Sequence, residues 1–206
     1  MKKSLIALAV LATTGAAMAQ SSVTLSGRVD AFLGNITTGV GAAELTQNGL
    51  YNGGLTGSRW ALSGTEDLGG GLKAMFKLEN RFSIDSGASP GGFTGDAYVA
   101  FAGGFGTVKL GRTYTAFDDA RALSVEANVF DSVFTPSVGG IGADYTSRGN
   151  NGIRYESPNF AGFSGAVSYA FGEDKTATTD ASNIVSLHAK YATGPLAVAY
   201  GYQEEN

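Results

Sequence analysis

The chain of 206 residues has no cysteine and only four prolines, and its 18 acidic residues outnumber 14 basic ones. The absence of cysteine excludes disulfide bonds and thiolate metal sites. The acidic balance argues against a nucleic-acid partner, which would require a basic surface. After the N-terminal segment, no apolar run reaches the roughly 20 residues of a membrane-spanning helix. Glycine is abundant at 31 residues, and many glycines with few prolines are typical of strands and tight turns.

The first 19 residues have the features of a secretory signal peptide. Lys2 and Lys3 form a basic start, residues 5–11 form an apolar stretch, and Ala17-Met18-Ala19 fits the small-residue cleavage rule. The apolar stretch is too short for a membrane anchor. We therefore predict cleavage between Ala19 and Gln20, which leaves one exported domain over residues 20–206.

Nine segments of the mature chain alternate apolar and polar residues. In residues 72–82, one face reads Leu, Ala, Phe, Leu, Asn, Phe and the other reads Lys, Met, Lys, Glu, Arg. Successive side chains of a strand point to opposite faces, so this strand has one apolar and one charged face. The pattern predicts strands at 23–33, 57–66, 72–82, 95–102, 107–114, 148–156, 163–171, 183–192 and 196–203.

The connections between these strands alternate between short turns and long polar loops. Aromatic residues also lie near many strand ends, as at Phe82, Phe105 and Phe171. Both features are typical of an antiparallel transmembrane β-barrel, with lipid outside and water inside. A secreted or periplasmic β-sandwich that acts as a binding module is the alternative, because its strands also alternate.

Two stretches resemble the general diffusion porins of Gram-negative bacteria, in their β-proteobacterial branch (Burkholderia, Bordetella, Neisseria). They are residues 57–74, which read GSRWALSGTEDLGGGLKA, and residues 103–112, which read GGFGTVKLGR. Residues 151–158, NGIRYESP, are similar to the sixth strand of that branch. The resemblance covers essentially the whole mature chain.

The resemblance implies an all-β, sixteen-stranded, homotrimeric barrel whose third long loop, here 115–147, folds into the lumen. It further implies that acids of this loop face basic wall residues at a constriction. The loop acids are Asp118, Asp119, Glu126 and Asp131, and the basic residues whose strand parity points inward are Arg28, Arg59, Lys77, Arg148 and Arg154. Arg112 shares the parity of Leu110 and is predicted to point outward unless a bulge intervenes.

The function implied is passive diffusion of ions and small hydrophilic solutes, with no cofactor and no metal. An enzyme would need a partner beside the single histidine, His188, and the spacing shows no catalytic triad. The expected partners are the lipid bilayer with lipopolysaccharide and the barrel-assembly machinery. Nine strands leave open edges, which lipid does not tolerate, so we expect the chain to be about the first half of a porin.

Overall fold

The computed structural model describes residues 22–39, 41–125 and 145–206. The predicted cleavage site at Ala19 and Gln20 and the predicted loop acids Glu126 and Asp131 lie outside these residues. The described part consists of eleven strands, a short 3-10 helix and one α-helix. The strands and the α-helix are β1 (Ser22–Arg28), β2 (Ala31–Thr38), β3 (Leu45–Asn52), β4 (Arg59–Gly69), β5 (Leu72–Arg81), β6 (Ala97–Gly103), β7 (Gly106–Tyr114), α1 (Ala116–Val125), β8 (Arg148–Glu156), β9 (Phe163–Phe171), β10 (Asn183–Thr193) and β11 (Leu196–Glu205).

Nine strands form one antiparallel sheet in the order β1-β4-β5-β6-β7-β8-β9-β10-β11. They correspond to the nine segments predicted from the alternating pattern. From β4 onward every strand pairs with the next one along the chain, as an up-and-down meander does. In the described part of the chain β1 and β11 each have one partner, so the sheet is an antiparallel barrel wall that is not closed.

The prediction for the first strand is wrong at its C-terminal end. β1 ends at Arg28, and residues 31–33 belong instead to β2, which pairs with β3 in a separate hairpin. The strand is interrupted at Asp30, whose carboxylate accepts hydrogen bonds from the three successive amides of residues 54–56 at 3.2, 2.8 and 2.8 Å. This side chain closes the base of the hairpin, so the hairpin is an insertion between β1 and β4.

The nine-stranded sheet has an apolar face, which we call the outer face. Cross-strand partners share a face, and the register puts Leu62 opposite Leu78 and Phe76 opposite Val99. Leu25 is 72% exposed and Val99 is 54% exposed, although both are aliphatic. An apolar surface of this extent is typical of contact with lipid. Further large apolar residues exposed on this face are Val23, Phe101, Leu110, Ile153, Val167, Tyr169, Val198 and Tyr200.

Asn80 has the parity of the outer face, where a polar side chain is unexpected. The loop between β5 and β6 folds back over this position, and the Asn80 amide donates hydrogen bonds to Ser89 Oγ and to the Gly92 carbonyl. Phe93 of the same loop packs edge-on against Trp60, with ring centroids 6.2 Å apart. The loop therefore supplies the partners that lipid cannot provide to an amide.

Helix α1 packs against β9, β10 and β11 on the other face of the sheet, which we call the inner face. Residues 116–125 of the predicted in-folded loop therefore lie against the polar face of the wall. Phe117 and Ala120 approach Gly201 of β11 closely. No helix among the described residues has the length and apolar character needed to span a membrane.

Candidate functional site

Three arginines form a row across one end of the inner face. The register puts Arg28 opposite Arg59 and Arg59 opposite Arg81, so the row crosses β1, β4 and β5. Arg28 is exposed, whereas the side chain of Arg59 is only 13% exposed. The row concentrates positive charge at one end of the inner face, where it attracts anions.

Glu79 lies at the centre of this basic region. Its carboxylate is 3.0 Å from Lys77 Nζ, 3.3 Å from Arg81 Nε and 3.8 Å from Arg59, and its side chain is only 6% exposed. A carboxylate removed from water to this extent is stabilised by neighbouring cations, which replace its lost hydration. Glu79 therefore neutralises part of the basic cluster and fixes its side chains in place.

Asp96 is the second acid of the cluster. Its carboxylate accepts hydrogen bonds from Lys77 Nζ at 2.8 Å and from Arg148 Nε at 3.3 Å. The guanidinium of Arg148 also stacks on the Tyr114 ring, with 3.5 Å between its central carbon and the ring centroid. Lys77 bridges both acids, so the ion pairs form one continuous network over β4, β5, β8 and the loop before β6.

Arg112 lies at a β-bulge. The register between β7 and β8 shifts after Gly111, which has a φ of +130°. The Arg112 guanidinium donates to the carbonyls of residues 94 and 95 at 3.2–3.3 Å. The register shift is the bulge that the parity prediction allowed for, and the Arg112 guanidinium lies within electrostatic reach of Arg148, Asp96 and Arg81.

A second network links the wall to helix α1. Glu156 of β8 accepts hydrogen bonds from Lys109 at 2.6 Å and from Arg154 Nε at 2.8 Å. Arg154 also forms an ion pair with Asp119 of α1. The same Asp119 oxygen lies 3.5 Å from His188 Nδ1 on β10. One loop carboxylate thus contacts groups from two strands that are not adjacent.

Arg154 is buried, with a side chain only 6% exposed. Besides its two carboxylate partners, it donates hydrogen bonds to the carbonyls of Tyr114 and Thr115, both at 2.9 Å. All three of its guanidinium nitrogens are engaged within the protein. Arg154 therefore holds the start of α1, whereas the exposed Arg28 remains accessible to a solute.

Asp118 contacts the segment that leads into β8. It accepts a hydrogen bond from the hydroxyl of Tyr145, whose ring packs edge-on against Phe117 with centroids 5.1 Å apart. Burial and the Asp118 carboxylate raise the pKa of Tyr145 above its usual range. This contact ties the residues before β8 to the first turn of α1.

A polar cavity of about 420 Å³ lies between Arg148 and the loop that joins β9 to β10. The loop contributes Glu173 and Asp174 to its lining. The backbone amide and the hydroxyl of Ser182 both donate to Asp174, and these bonds hold the pKa of its carboxyl below the usual range. The cavity therefore has an anionic loop on one side and a basic strand residue on the other.

The structure brings the predicted residues Arg59, Lys77 and Arg148 together in one network, and Arg154 and Asp119 in the other. Arg28 lies beside the first network only as the cross-strand partner of Arg59. The structure adds four residues to the site that were not predicted from the sequence: Glu79, Asp96, Glu156 and Lys109. Their inward parity was readable in the same strands, but the partner of each one depends on the register between strands.

The chain matches the family model described as Gram-negative porin over residues 4–206. It is 42% identical to outer membrane porin protein 32 of Delftia acidovorans, over 100% of this chain and 60% of that protein. It is 33% identical to an outer membrane porin protein of Bordetella pertussis, again over 100% of this chain and 60% of the relative.

Among solved structures, the fold is similar to that of an anion-selective porin from Comamonas acidovorans. The TM-score is 0.71 at 33% identity, and the match covers 89% of this chain and 57% of that one. The chain therefore spans about 60% of the length of the curated relatives it matches.

Proposed function

Because the chain belongs to the Gram-negative porin family, we propose that the protein contributes to a water-filled channel for passive diffusion of ions and small hydrophilic solutes. As a member of this family it is an outer-membrane protein in contact with the lipid bilayer. One observation supports the channel most strongly: the sheet exposes an apolar outer face and carries charged networks and a helix on its inner face. A wall of this kind separates lipid from water.

Anions are the proposed preferred solutes. In the network around Glu79 and Asp96, basic side chains outnumber the two carboxylates, and Arg28 and Arg112 add further positive charge. Rings of basic residues in a pore favour anions. The anion-selective description of the Comamonas relative supports the same preference. The paired acids moderate this preference because they cancel part of the charge.

The constriction is proposed to lie where α1 faces the basic cluster. Arg59, Lys77 and Arg148 would form its basic side, and Asp118 and Asp119 would contribute acids from the loop. Glu126 and Asp131 remain predicted members of the acidic side. Opposed charges would set up a transverse field that orders water and slows apolar solutes, while dipolar solutes align and pass.

The wider assembly is also a proposal. We infer a homotrimer that contacts lipopolysaccharide and is inserted by the barrel-assembly machinery, as the family resemblance implies. The protein would have no enzymatic activity. His188 contacts a backbone carbonyl and a carboxylate, and this arrangement fits a structural histidine better than a catalytic base.

Liposome swelling tests the channel directly. The full-length protein is reconstituted into liposomes, which are then diluted into isotonic solutions of neutral sugars of increasing size. We expect fast swelling with small sugars and a decline with solute size, because a narrowed aqueous pore admits solutes by size. Swelling rates equal to those of protein-free liposomes for every sugar would contradict the proposal.

A further inference from the structure

The Thr115 side chain does not cap helix α1 within the part of the chain that the structure describes. The first amides of a helix have no intrahelical partner, and a Thr at the preceding position commonly accepts from them through its hydroxyl. Thr115 occupies that position, yet its Oγ1 is buried and has no hydrogen-bond partner among the described residues. The amides of α1 must therefore be satisfied from elsewhere.

Two serines of the wall supply the acceptors. Ser168 Oγ accepts from the Ala116 amide at 3.1 Å, and Ser186 Oγ accepts from the Phe117 amide at 2.7 Å. Ser168 on β9 and Ser186 on β10 are direct cross-strand partners, so two neighbouring hydroxyls meet two successive amides. Ser186 is only 1% exposed, so water does not compete for this bond.

Arg154 and His188 complete the contact from both sides. Arg154 is the cross-strand partner of Ser168, so three adjacent strands present Arg154, Ser168 and Ser186 in one row. His188 Nδ1 lies 3.0 Å from the Ala116 carbonyl. A carbonyl only accepts, so Nδ1 carries the proton in the neutral ring.

Gly201 makes close approach of the helix possible. It is the cross-strand partner of His188, and a Cβ built at this position would lie 2.8 Å from Ala120 Cβ and 2.9 Å from Phe117 Cδ2. Real Cβ atoms do not come so close, so any larger residue would push α1 away from the wall. The helix is thus held by hydrogen bonds at its start and by close packing one turn later.

We propose that Arg154, Ser168, Ser186 and His188 form a wall cap that positions α1 in the lumen and so sets the open cross-section for solutes. These are positioning residues, since they act through the helix. The inference rests on the proposed channel function. The wall keeps its strand pairing without the cap, because each strand is bonded to its neighbours through the backbone. Loss of the hydroxyls should therefore free the helix more than it weakens the barrel.

The test is single-channel recording of the full-length protein in planar bilayers. Ser168→Ala/Ser186→Ala removes both acceptors, and Ser164→Ala is the matched control. Ser164 is an inner-face serine of β9 with no side-chain hydrogen bond in the described structure. Two lost hydrogen bonds should raise the undocked population of α1 by roughly tenfold. We expect a matching rise in brief current fluctuations, and Ser168→Thr in place of Ser168→Ala should partly reverse it.

The outcomes separate the two proposals. If the wild type gives no channel steps, the channel function itself fails. If the wild type conducts and the double variant has the same step size and the same fluctuations, the wall cap is wrong. Should the double variant not refold, Gly201→Ala displaces the same helix from β11, and Gly104→Ala is its control because a Cβ there meets nothing within 4 Å. Fluctuations in Gly201→Ala equal to those of Gly104→Ala would also overturn the proposal.

Discussion

Arg154 and Asp119 form an ion pair that joins strand β8 of the wall to helix α1. Arg154 is also bonded to Glu156 and to two backbone carbonyls at the start of the helix. A single buried side chain therefore links the wall to the start of helix α1.

Arg154→Ala is expected to destabilise the protein by about 2–4 kcal/mol, because it leaves buried acceptors without donors. Arg154→Lys should recover only part of this loss, since one ammonium cannot reproduce the geometry of the guanidinium. Denaturant unfolding of the refolded protein measures both changes. Arg28→Ala is the control, because Arg28 is an exposed arginine of the same face. Equal losses for Arg154→Ala and Arg28→Ala would contradict the assigned role.

Glu79→Gln should strengthen the preference for anions. The substitution removes a negative charge that three basic side chains surround, while it keeps the size of the side chain. In water, a unit charge about 4 Å from a passing ion contributes about 1 kcal/mol to the energy of that ion. Its removal should therefore raise the anion-to-cation permeability ratio by roughly twofold to fivefold. Reversal potentials in a salt gradient measure the ratio. Glu66→Gln removes the same charge from an exposed position outside the network, and an equal shift there would refute this assignment.

Gly95→Ala should also strengthen the preference for anions, although it removes no charge. A Cβ at this position would lie 2.4–2.7 Å from the Glu79 side chain, which would have to move away from its cations. The reversal potential should therefore shift towards anions, while the unfolding free energy changes less than in Arg154→Ala. An unchanged reversal potential would show that Glu79 does not set the local charge balance.

Alkaline pH should weaken the contact between Tyr145 and α1. The pKa of Tyr145 is raised above 10.0 by burial and by its hydrogen bond to Asp118, so the protonated phenol is the form the fold prefers. This contribution to stability is fully present below pH 10.0 and is lost as pH rises through the folded-state pKa. The difference in tyrosinate absorbance between wild type and Tyr145→Phe isolates this group. A titration midpoint of this absorbance difference at or below pH 10.0 would contradict the contact.

The sequence predicted the nine wall strands because their two-residue period is directly readable. It missed the β2–β3 hairpin because polar pairs such as Asn35 with Asn48 and Thr37 with Thr46 leave neither face clearly apolar. The break at Asp30 was also invisible, since it depends on amides more than twenty residues away.

The charged site was predictable in part. Parity assigned Arg59, Lys77 and Arg148 to the inner face, but it contains no information on which acid meets which base. Glu79 and Asp96 are paired through the register and through the course of the loop before β6. The bulge beside Arg112 was not readable either, because alternation alone does not reveal a register shift.

Single-channel recording of the full-length wild-type protein tests whether this chain forms the wall of a water-filled pore. We expect discrete steps whose conductance rises in proportion to the conductivity of the bath, with a reversal potential that favours anions. An absence of steps, or a conductance that saturates at low salt as in a dehydrated filter, would contradict it.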